Sequence, residues 1–380
     1  MTLADELWTH VFQFLDISAL CANVHRVCKR FKALSFLDRR TFQLLKWNKR
    51  VTQSKLISTL QEIGRFQNST TLLAHKIEHL QFEHCTLKVQ FHTLLPFAPN
   101  VKKLQISSSL FSNSQLKNLA ALSTLSHQLV SLDLSACSKI SIDSLAHACR
   151  AFTQLKELNI RGLHLLNALD FPTIALAAPQ LTSLDVKGHK DIPGLALKQF
   201  SQLRSLCLQA AGVTLKHEDI LDCAINSWQQ LQCLDLKFTP CRELCDATIV
   251  AISTYCTQLI GVELQGLTQL THVAFNSLNN LQFLNLIGCV QLDNEALLCI
   301  GQRNPELSRI ELKQCAMLSN DGVIQFSELC PKLKILNLTA TSVTEIVIEP
   351  VLNNLPLLQV LNVSECDLFV DKQKSRTYFM

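Results

Sequence analysis

Residues 129–137 read LVSLDLSAC, and they set the pattern of this chain. Leucines stand at the first, fourth and sixth places and a cysteine at the ninth, which gives L-x-x-L-x-L-x-x-C. Side chains alternate between the two faces of a strand, so Leu132 and Leu134 point to one face and their neighbours to the other. The segment therefore predicts a short strand with one buried face.

The same pattern returns along most of the chain, which makes it an internal repeat. Twelve copies begin at Ile77, Val101, Leu129, Leu155, Leu181, Leu203, Leu231, Leu259, Leu281, Leu307, Leu333 and Leu358. The mean interval is about 25 to 26 residues. That value lies inside the range of about 20 to 29 residues that is typical of leucine-rich repeats.

Between the predicted strands, the better copies contain an amphipathic segment with apolar residues three and four positions apart. Such segments begin at Ile140, Leu292 and Leu318. The spacing predicts helices with one buried stripe. Residues suited to helix starts are Asp143, Asn294 and Asp321. The intervals that begin at Leu181 and Leu259 are too short for a full helix, so we expect a 3₁₀ turn or a shortened helix there.

Cysteines close several strand motifs and also stand near helix ends. The first group is Cys137, Cys289, Cys315 and Cys366, and the second is Cys149, Cys256 and Cys330. In this respect the chain resembles the cysteine-containing class of leucine-rich repeats, which is common in F-box substrate receptors. The resemblance covers about three quarters of the chain. It implies an α/β solenoid, a horseshoe of about twelve repeats with a parallel concave sheet and convex helices.

The composition indicates a large apolar core, with 48% hydrophobic and 17% charged residues. A net charge of +4 and the absence of long like-charge runs argue against a nucleic-acid partner. No secretory leader and no membrane-spanning stretch is evident, so we interpret the sixteen cysteines as reduced thiols that fill buried turns. The nearest pair, Cys241 and Cys245, lacks the second pair of a zinc site, and we expect no metal and no cofactor.

The first 42 residues, called the N-terminal module below, do not follow the repeat and contain three short helical patterns. The residues in question follow one another as Leu3, Ala4, Leu7, Val11, Phe12, Leu15, Leu20, Val27, Cys28 and Phe31. Their order resembles an F-box, and this resemblance implies that they form a docking surface for the SKP-family adaptor of a cullin–RING ubiquitin ligase. Ala4 departs from the usual proline, which presets the backbone angle φ, and we expect weaker docking. Phe31 replaces the commoner tryptophan.

The alternative for residues 1–42 is a helical cap on the open end of the solenoid, because repeat arrays need capping elements. Residues 43–76 predict a helical connector, in which the segment from Lys55 to Phe66 is the clearest helix. The solenoid then occupies residues 77–366. A tail of residues 367–380 follows it.

The residues that flank the last two leucines of each strand are expected on the concave face. The central position forms a ladder of mostly acidic and amide residues, and bases follow it two places later. An apolar group stands near the C-terminal end. The predicted substrate-binding residues are Arg161, Asp185, Lys187, Asp235, Lys237, Glu263, Phe283, Ile287, Glu311, Lys313, Ile335 and Val360. Two alternatives stay open: a solvated face of mixed charge, and a tail that folds back to cover the apolar group with Leu368, Phe369, Tyr378 or Phe379.

These patterns favour a non-catalytic substrate-recognition subunit of an SCF-type ubiquitin ligase, which holds a protein substrate near the ubiquitin donor. The main alternative is a leucine-rich-repeat scaffold or inhibitor without any ligase. An enzyme is disfavoured because no nucleophile elbow, phosphate-binding loop or metal-spaced histidines occur. The expected location is the cytoplasm or nucleus, or the host cytosol if bacteria deliver the protein.

Overall fold

Every copy of the leucine pattern forms a strand. The computed structural model describes residues 44–48, 78–83, 100–189, 192–209, 216–238, 244–366 and 376–379. The chain forms two compact units, Met1–Leu181 and Thr182–Met380. The ten predicted F-box residues and the segment from Lys55 to Phe66 lie outside the described residues.

The first unit contains a run of five parallel strands in sequence order. Its elements are β1 (Leu44–Asn48), β2 (His79–Glu83), β3 (Lys103–Ser107), α1 (Asn113–Ala120), α2 (Ser123–Ser126), β4 (Ser131–Asp133), α3 (Ile142–Ala151), β5 (Glu157–Asn159), a 3₁₀ turn (Ala168–Asp170) and α4 (Phe171–Ala177). Strand and helix therefore alternate as the repeat predicts.

The second unit contains eight parallel strands, again in sequence order, and a ninth antiparallel strand at the edge. Its strands are β6 (Ser183–Asp185), β7 (Ser205–Cys207), β8 (Cys233–Asp235), β9 (Gly261–Glu263), β10 (Phe283–Asn285), β11 (Arg309–Glu311), β12 (Ile335–Asn337), β13 (Val360–Asn362) and β14 (Thr377–Phe379). Its helices are α5 (Gly194–Leu197), α6 (His217–Asn226), α7 (Asp246–Tyr255), α8 (His272–Ser277), α9 (Asn294–Arg303), α10 (Asn320–Leu329) and α11 (Ile348–Asn354), with a 3₁₀ turn at Glu345–Val347.

The twelve predicted strands correspond to β2 through β13, and the expected alternation of faces is confirmed. Leu132 and Leu134 are fully buried, whereas Ser131 and Asp133 between and beside them are only half-buried. The buried leucines face the helices, which bury their own apolar stripes against them. The opposite face of the strands is called the open face below.

Strand β1 was not predicted. It lies within residues 43–76, where we expected a helical connector, and it pairs in parallel with β2. Leu45 stands opposite Leu80, and the number of sequence positions that separates these two residues is larger than the repeat interval. A search by period therefore misses this strand. The proposed boundaries of the N-terminal module, connector, solenoid and tail stay predictions.

The two shortened repeats have the shortened helices that their length predicts. Helix α5 has four residues and α8 has six, whereas α9 and α10 have ten each. None of the helices in the described ranges combines the length and the apolar character that a membrane crossing requires.

The predicted helix starts lie one or two residues too late. The N-cap positions of α3, α9 and α10 are held by Ser141, Asp293 and Ser319, and the side chains of Asp293 and Ser319 accept capping hydrogen bonds. Asn294 instead connects neighbouring repeats, because its Oδ1 accepts a hydrogen bond from the Ser319 N–H at 3.0 Å and its Nδ2 donates to Ser319 Oγ at 2.8 Å. Local capping preference does not reveal such a contact between repeats.

A buried asparagine forms a second link between repeats. Asn304 is fully buried, and its Nδ2 donates to the carbonyls of Leu278 at 3.1 Å and Ile300 at 2.7 Å. Its Oδ1 accepts the Leu281 N–H at 2.8 Å. One side chain thus satisfies buried backbone groups of two repeats.

The Asn304→Ala variant is expected to lower the free energy of unfolding by about 3 kcal/mol, because buried backbone groups lose their partners. Urea denaturation followed by circular dichroism measures this change. Asn353→Ala, on the exposed side of α11, is the matched control and is expected to change it by less than about 0.5 kcal/mol. Equal effects of the two substitutions would show that Asn304 does not join the repeats.

Candidate functional site

The open face of the second unit consists of three rows of side chains that cross the strands. The first row is Ser183, Ser205, Cys233, Gly261, Phe283, Arg309, Ile335 and Val360. The central row is Asp185, Cys207, Asp235, Glu263, Asn285, Glu311, Asn337 and Asn362. The third row follows two residues after the central one and contains Lys187, Lys237, Ile287 and Lys313.

The central row has a structural task that its sequence did not reveal. Asp185 Oδ1 accepts the backbone N–H of Lys187 at 2.9 Å, and Asn285 Oδ1 accepts that of Ile287 at 3.0 Å. The same bond recurs at Asp133, Asn159, Asp235, Asn337 and Asn362. Short side chains of this kind close a turn on their own backbone. The aspartates and asparagines of the ladder therefore fix the ends of their strands.

Charged residues of the middle strands pair with one another. Lys237 Nζ lies 3.0 Å from Glu263 Oε2 and 3.4 Å from Asp235 Oδ2. Asn285 Nδ2 also donates to Glu263 Oε2, at 2.7 Å. Burial works against the charge on Lys237, but the hydrogen bond to Glu263 and the two carboxylate charges outweigh it and raise the pKa of Lys237. These three predicted contact residues thus satisfy each other.

Glu311 is satisfied in a similar way. Its carboxylate is 8% exposed and accepts hydrogen bonds from Arg309 Nε at 2.8 Å and from Asn337 Nδ2 at 2.6 Å. Lys313 Nζ lies 3.7 Å from Glu365 Oε2 on the same face. Most of the predicted charged contact residues are therefore already engaged within the fold.

The predicted apolar residues come together at one end of the sheet. Phe283, Ile335 and Val360 are half-buried members of the first row, and Ile287 is a half-buried member of the third row. Arg309 stands between Phe283 and Ile335, with its guanidinium carbon 5.4 Å from the centre of the Phe283 ring. This cation–π contact was missed, although Arg309 holds the third place of the leucine pattern, as Phe283 and Ile335 do in their repeats.

The described part of the tail extends the sheet instead of covering it. Residues 377–379 pair antiparallel with β13, and Phe379 stands opposite Val360. Directly opposed residues in such a pair project to the same face, so Phe379 lies on the open face and is 79% exposed. Leu368 and Phe369 lie outside the described residues. The alternative in which Tyr378 and Phe379 fold back over the apolar group does not hold, because both residues belong to an edge strand.

Of the twelve predicted contact residues, Arg161 belongs to the first unit, where its side chain is exposed and its N–H is bonded to Asn159. The other eleven lie on the open face of the second unit. Their binding role stays a prediction.

The strand-closing cysteines connect successive repeats. Each thiol donates to the carbonyl of the residue at the sixth place of the leucine pattern in the preceding repeat: Cys137 to Ile106 at 2.8 Å, Cys289 to Leu264 at 3.6 Å, Cys315 to Leu286 at 3.2 Å, and Cys366 to Leu338 at 3.2 Å. Burial raises the pKa of the Cys137 thiol to about 11 and that of Cys315 to about 12. A thiol that stays protonated in a buried turn is a poor nucleophile and a poor metal ligand.

Within the described ranges, no group of three histidine, cysteine or acidic side chains is placed to hold a metal ion. The candidate site is an apolar group with a nearby cation. It lies on a sheet whose other polar side chains are largely bonded within the fold. Such a surface suits the binding of another molecule by contact.

No protein-family model matches the chain. A chain in the crystal structure of the yeast Rad7 and Elc1 complex has a TM-score of 0.63 at 19% sequence identity, covering 97% of this chain and 90% of that chain. The fold is a leucine-rich-repeat solenoid. An internalin, InlF of Listeria monocytogenes, has a TM-score of 0.48 at 18% identity, covering 81% of this chain and 93% of that chain.

Alkylation by iodoacetamide at about pH 8 is expected to spare Cys137 and Cys315 in the folded protein, because burial blocks access and the raised pKa leaves almost no thiolate. Cys245 is exposed and is expected to react. Peptide mass spectrometry of the labelled chain reads each site separately, and labelling in urea is the control in which all three react. Rapid labelling of Cys315 in the folded chain would contradict its role as a link between repeats.

Proposed function

We propose that this protein is a non-catalytic receptor that binds another protein on the open face of its second unit. The observation that carries this proposal is the apolar group around Phe283, Ile335 and Val360, which is only half-buried on a sheet where most charged side chains are paired. Grouped apolar side chains beside a cation are typical of binding hot spots. Arg309 supplies that cation beside Phe283.

The finer proposal is that the receptor serves an SCF-type ubiquitin ligase. It rests on the order of residues in the N-terminal module, from Leu3 to Phe31, which resembles an F-box. This module would dock the SKP-family adaptor while the sheet holds the substrate, which raises the substrate's effective concentration near the ubiquitin donor. A structure of the same fold was solved as a complex of Rad7 with a second protein, Elc1, and this agrees with a partner-binding role.

The protein itself would perform no chemical step in this scheme. The buried cysteines support this, since their pKa values are raised and their thiols are bound to backbone carbonyls. Reduced thiols also suit a cytoplasmic or nuclear protein, or one that bacteria deliver into a host cytosol. These locations are part of the proposal.

A second candidate is a leucine-rich-repeat scaffold or inhibitor whose N-terminal module only caps the sheet. The apolar group supports this function equally well, because it requires only that another protein binds. Adaptor binding separates the two functions.

Co-purification with a recombinant SKP-family adaptor and its cullin tests the ligase role. Wild type is expected to capture the adaptor, and the Leu7→Asp, Phe12→Asp double variant is expected to lose it, because charges would enter an apolar docking surface. Ala4→Pro is expected to strengthen capture by presetting φ. Ile335→Asp, on the open face, is the matched control and is expected to capture as wild type does.

Failure of both wild type and Ala4→Pro to capture the adaptor would contradict the ligase role. The scaffold function would then be the remaining candidate. Capture that the double variant retains would show that the N-terminal module does not dock as an F-box.

A further inference from the structure

The first row continues across five adjacent strands at the C-terminal end of the sheet. Its members there are Phe283, Arg309, Ile335, Val360 and Phe379 on β10 through β14. These five residues are called the stripe below. The tail supplies the last of them, so the edge strand lengthens the row.

The stripe is one side chain wide. On one side lies the central row of asparagines and Glu311. On the other side lie the residues that precede each strand, Gln282, Ser308, Lys334 and Gln359, which are all polar and none of which is buried. A ligand that fits the stripe must therefore present a narrow apolar face with polar flanks.

The spacing of the strands selects the conformation of such a ligand. Neighbouring strands lie about 4.8 Å apart, so five strands present contacts over about 19 Å. A helix offers one apolar contact per turn of about 5.4 Å, so the spacing of its contacts differs from the strand spacing by only about 0.6 Å per strand. An extended chain offers one contact on the same face about every 6.7 Å, so the spacing of its contacts differs from the strand spacing by about 1.9 Å per strand. A helix therefore keeps register along the stripe, and an extended chain loses it after two strands.

The charges beside the stripe select the polar flanks of the ligand. Arg309, Lys313 and Lys334 all reach solvent, and Arg309 is 49% exposed. Glu365 also reaches solvent, but Glu311 is buried beneath Arg309. More positive than negative charge is therefore exposed beside the stripe, and this favours a ligand with acidic flanks.

We infer that the stripe is a docking site for an amphipathic helix of a protein partner, with a narrow apolar face and acidic flanks. The helix crosses β10 through β14, with its apolar residues on Phe283, Ile335, Val360 and Phe379 and a carboxylate near Arg309. This is helix-in-groove recognition on a sheet. It rests on the proposed function, since it names the partner class of the same face.

Two synthetic peptides of about 18 residues, each long enough to span the stripe as a helix, test the inference. Both contain the same leucines, glutamates, alanines and glutamines, but the leucines are spaced three and four residues apart in one peptide and alternate in the other. Fluorescence polarisation with the full chain is expected to show about tenfold tighter binding of the helical pattern. Ile335→Asp is expected to weaken that binding about tenfold, and Phe379→Ala about threefold.

Matched controls lie outside the stripe. Leu357→Asp changes a leucine that is 51% exposed, and Phe238→Ala changes an exposed phenylalanine of another repeat. Both are expected to bind the helical peptide as wild type does, and thermal melting confirms that all four variants are folded.

Three results would overturn the inference: equal or tighter binding of the alternating peptide, no binding of either peptide, or equal effects of Leu357→Asp and Ile335→Asp. Adaptor capture uses the N-terminal module and a different partner. Loss of the peptide preference therefore leaves the ligase role standing, and loss of adaptor capture leaves the helix site standing.

Discussion

Alternation along a strand is the constraint on which this structure depends. Each repeat has a strand too short to bury its leucines alone, so it must stack on a neighbour. Leu132 and Leu134 point inward and their neighbours point outward, because side chains alternate along a strand, and the same division recurs from β2 to β13. The links between repeats follow from this stacking: thiols such as Cys315 reach the carbonyl of the preceding repeat, and Asn304 holds backbone groups of its neighbours.

The side chains that point outward from the strands form the open face, where binding is proposed. Its polar residues mostly serve the fold, since the central row closes strand ends and the charged groups pair across strands. Carboxylates and amides that are bonded within the fold contribute little to attracting a ligand, whereas the Arg309 side chain stays 49% exposed above the buried Glu311. The apolar stripe has no such partner layer over it in the described residues, and the tail lengthens it through Phe379. Specific binding is therefore expected where the sheet is least polar.

Much of the fold could be predicted because its determinants are local. The leucine spacing predicts all strands from β2 to β13, and the interval lengths predict the shortened helices α5 and α8. Strand β1 could not be predicted because Leu45 lies outside the repeat period. Strand β14 could not be predicted because its three residues pair antiparallel and carry no repeat pattern. The partners of Lys237 and Glu311 depend on register between strands, which the charges alone do not specify.

Hydroxyl-radical footprinting of the full chain, free and bound to a protein that it captures, shows whether that protein covers the stripe. Phe283 and Phe379 are predicted to be oxidised in the free chain and protected in the complex, while the exposed Phe238 is oxidised in both. The buried Phe275 and Phe326 should resist oxidation throughout. Protection of Phe283 and Phe379 in the free chain, or protection confined to Phe238 in the complex, would contradict the account.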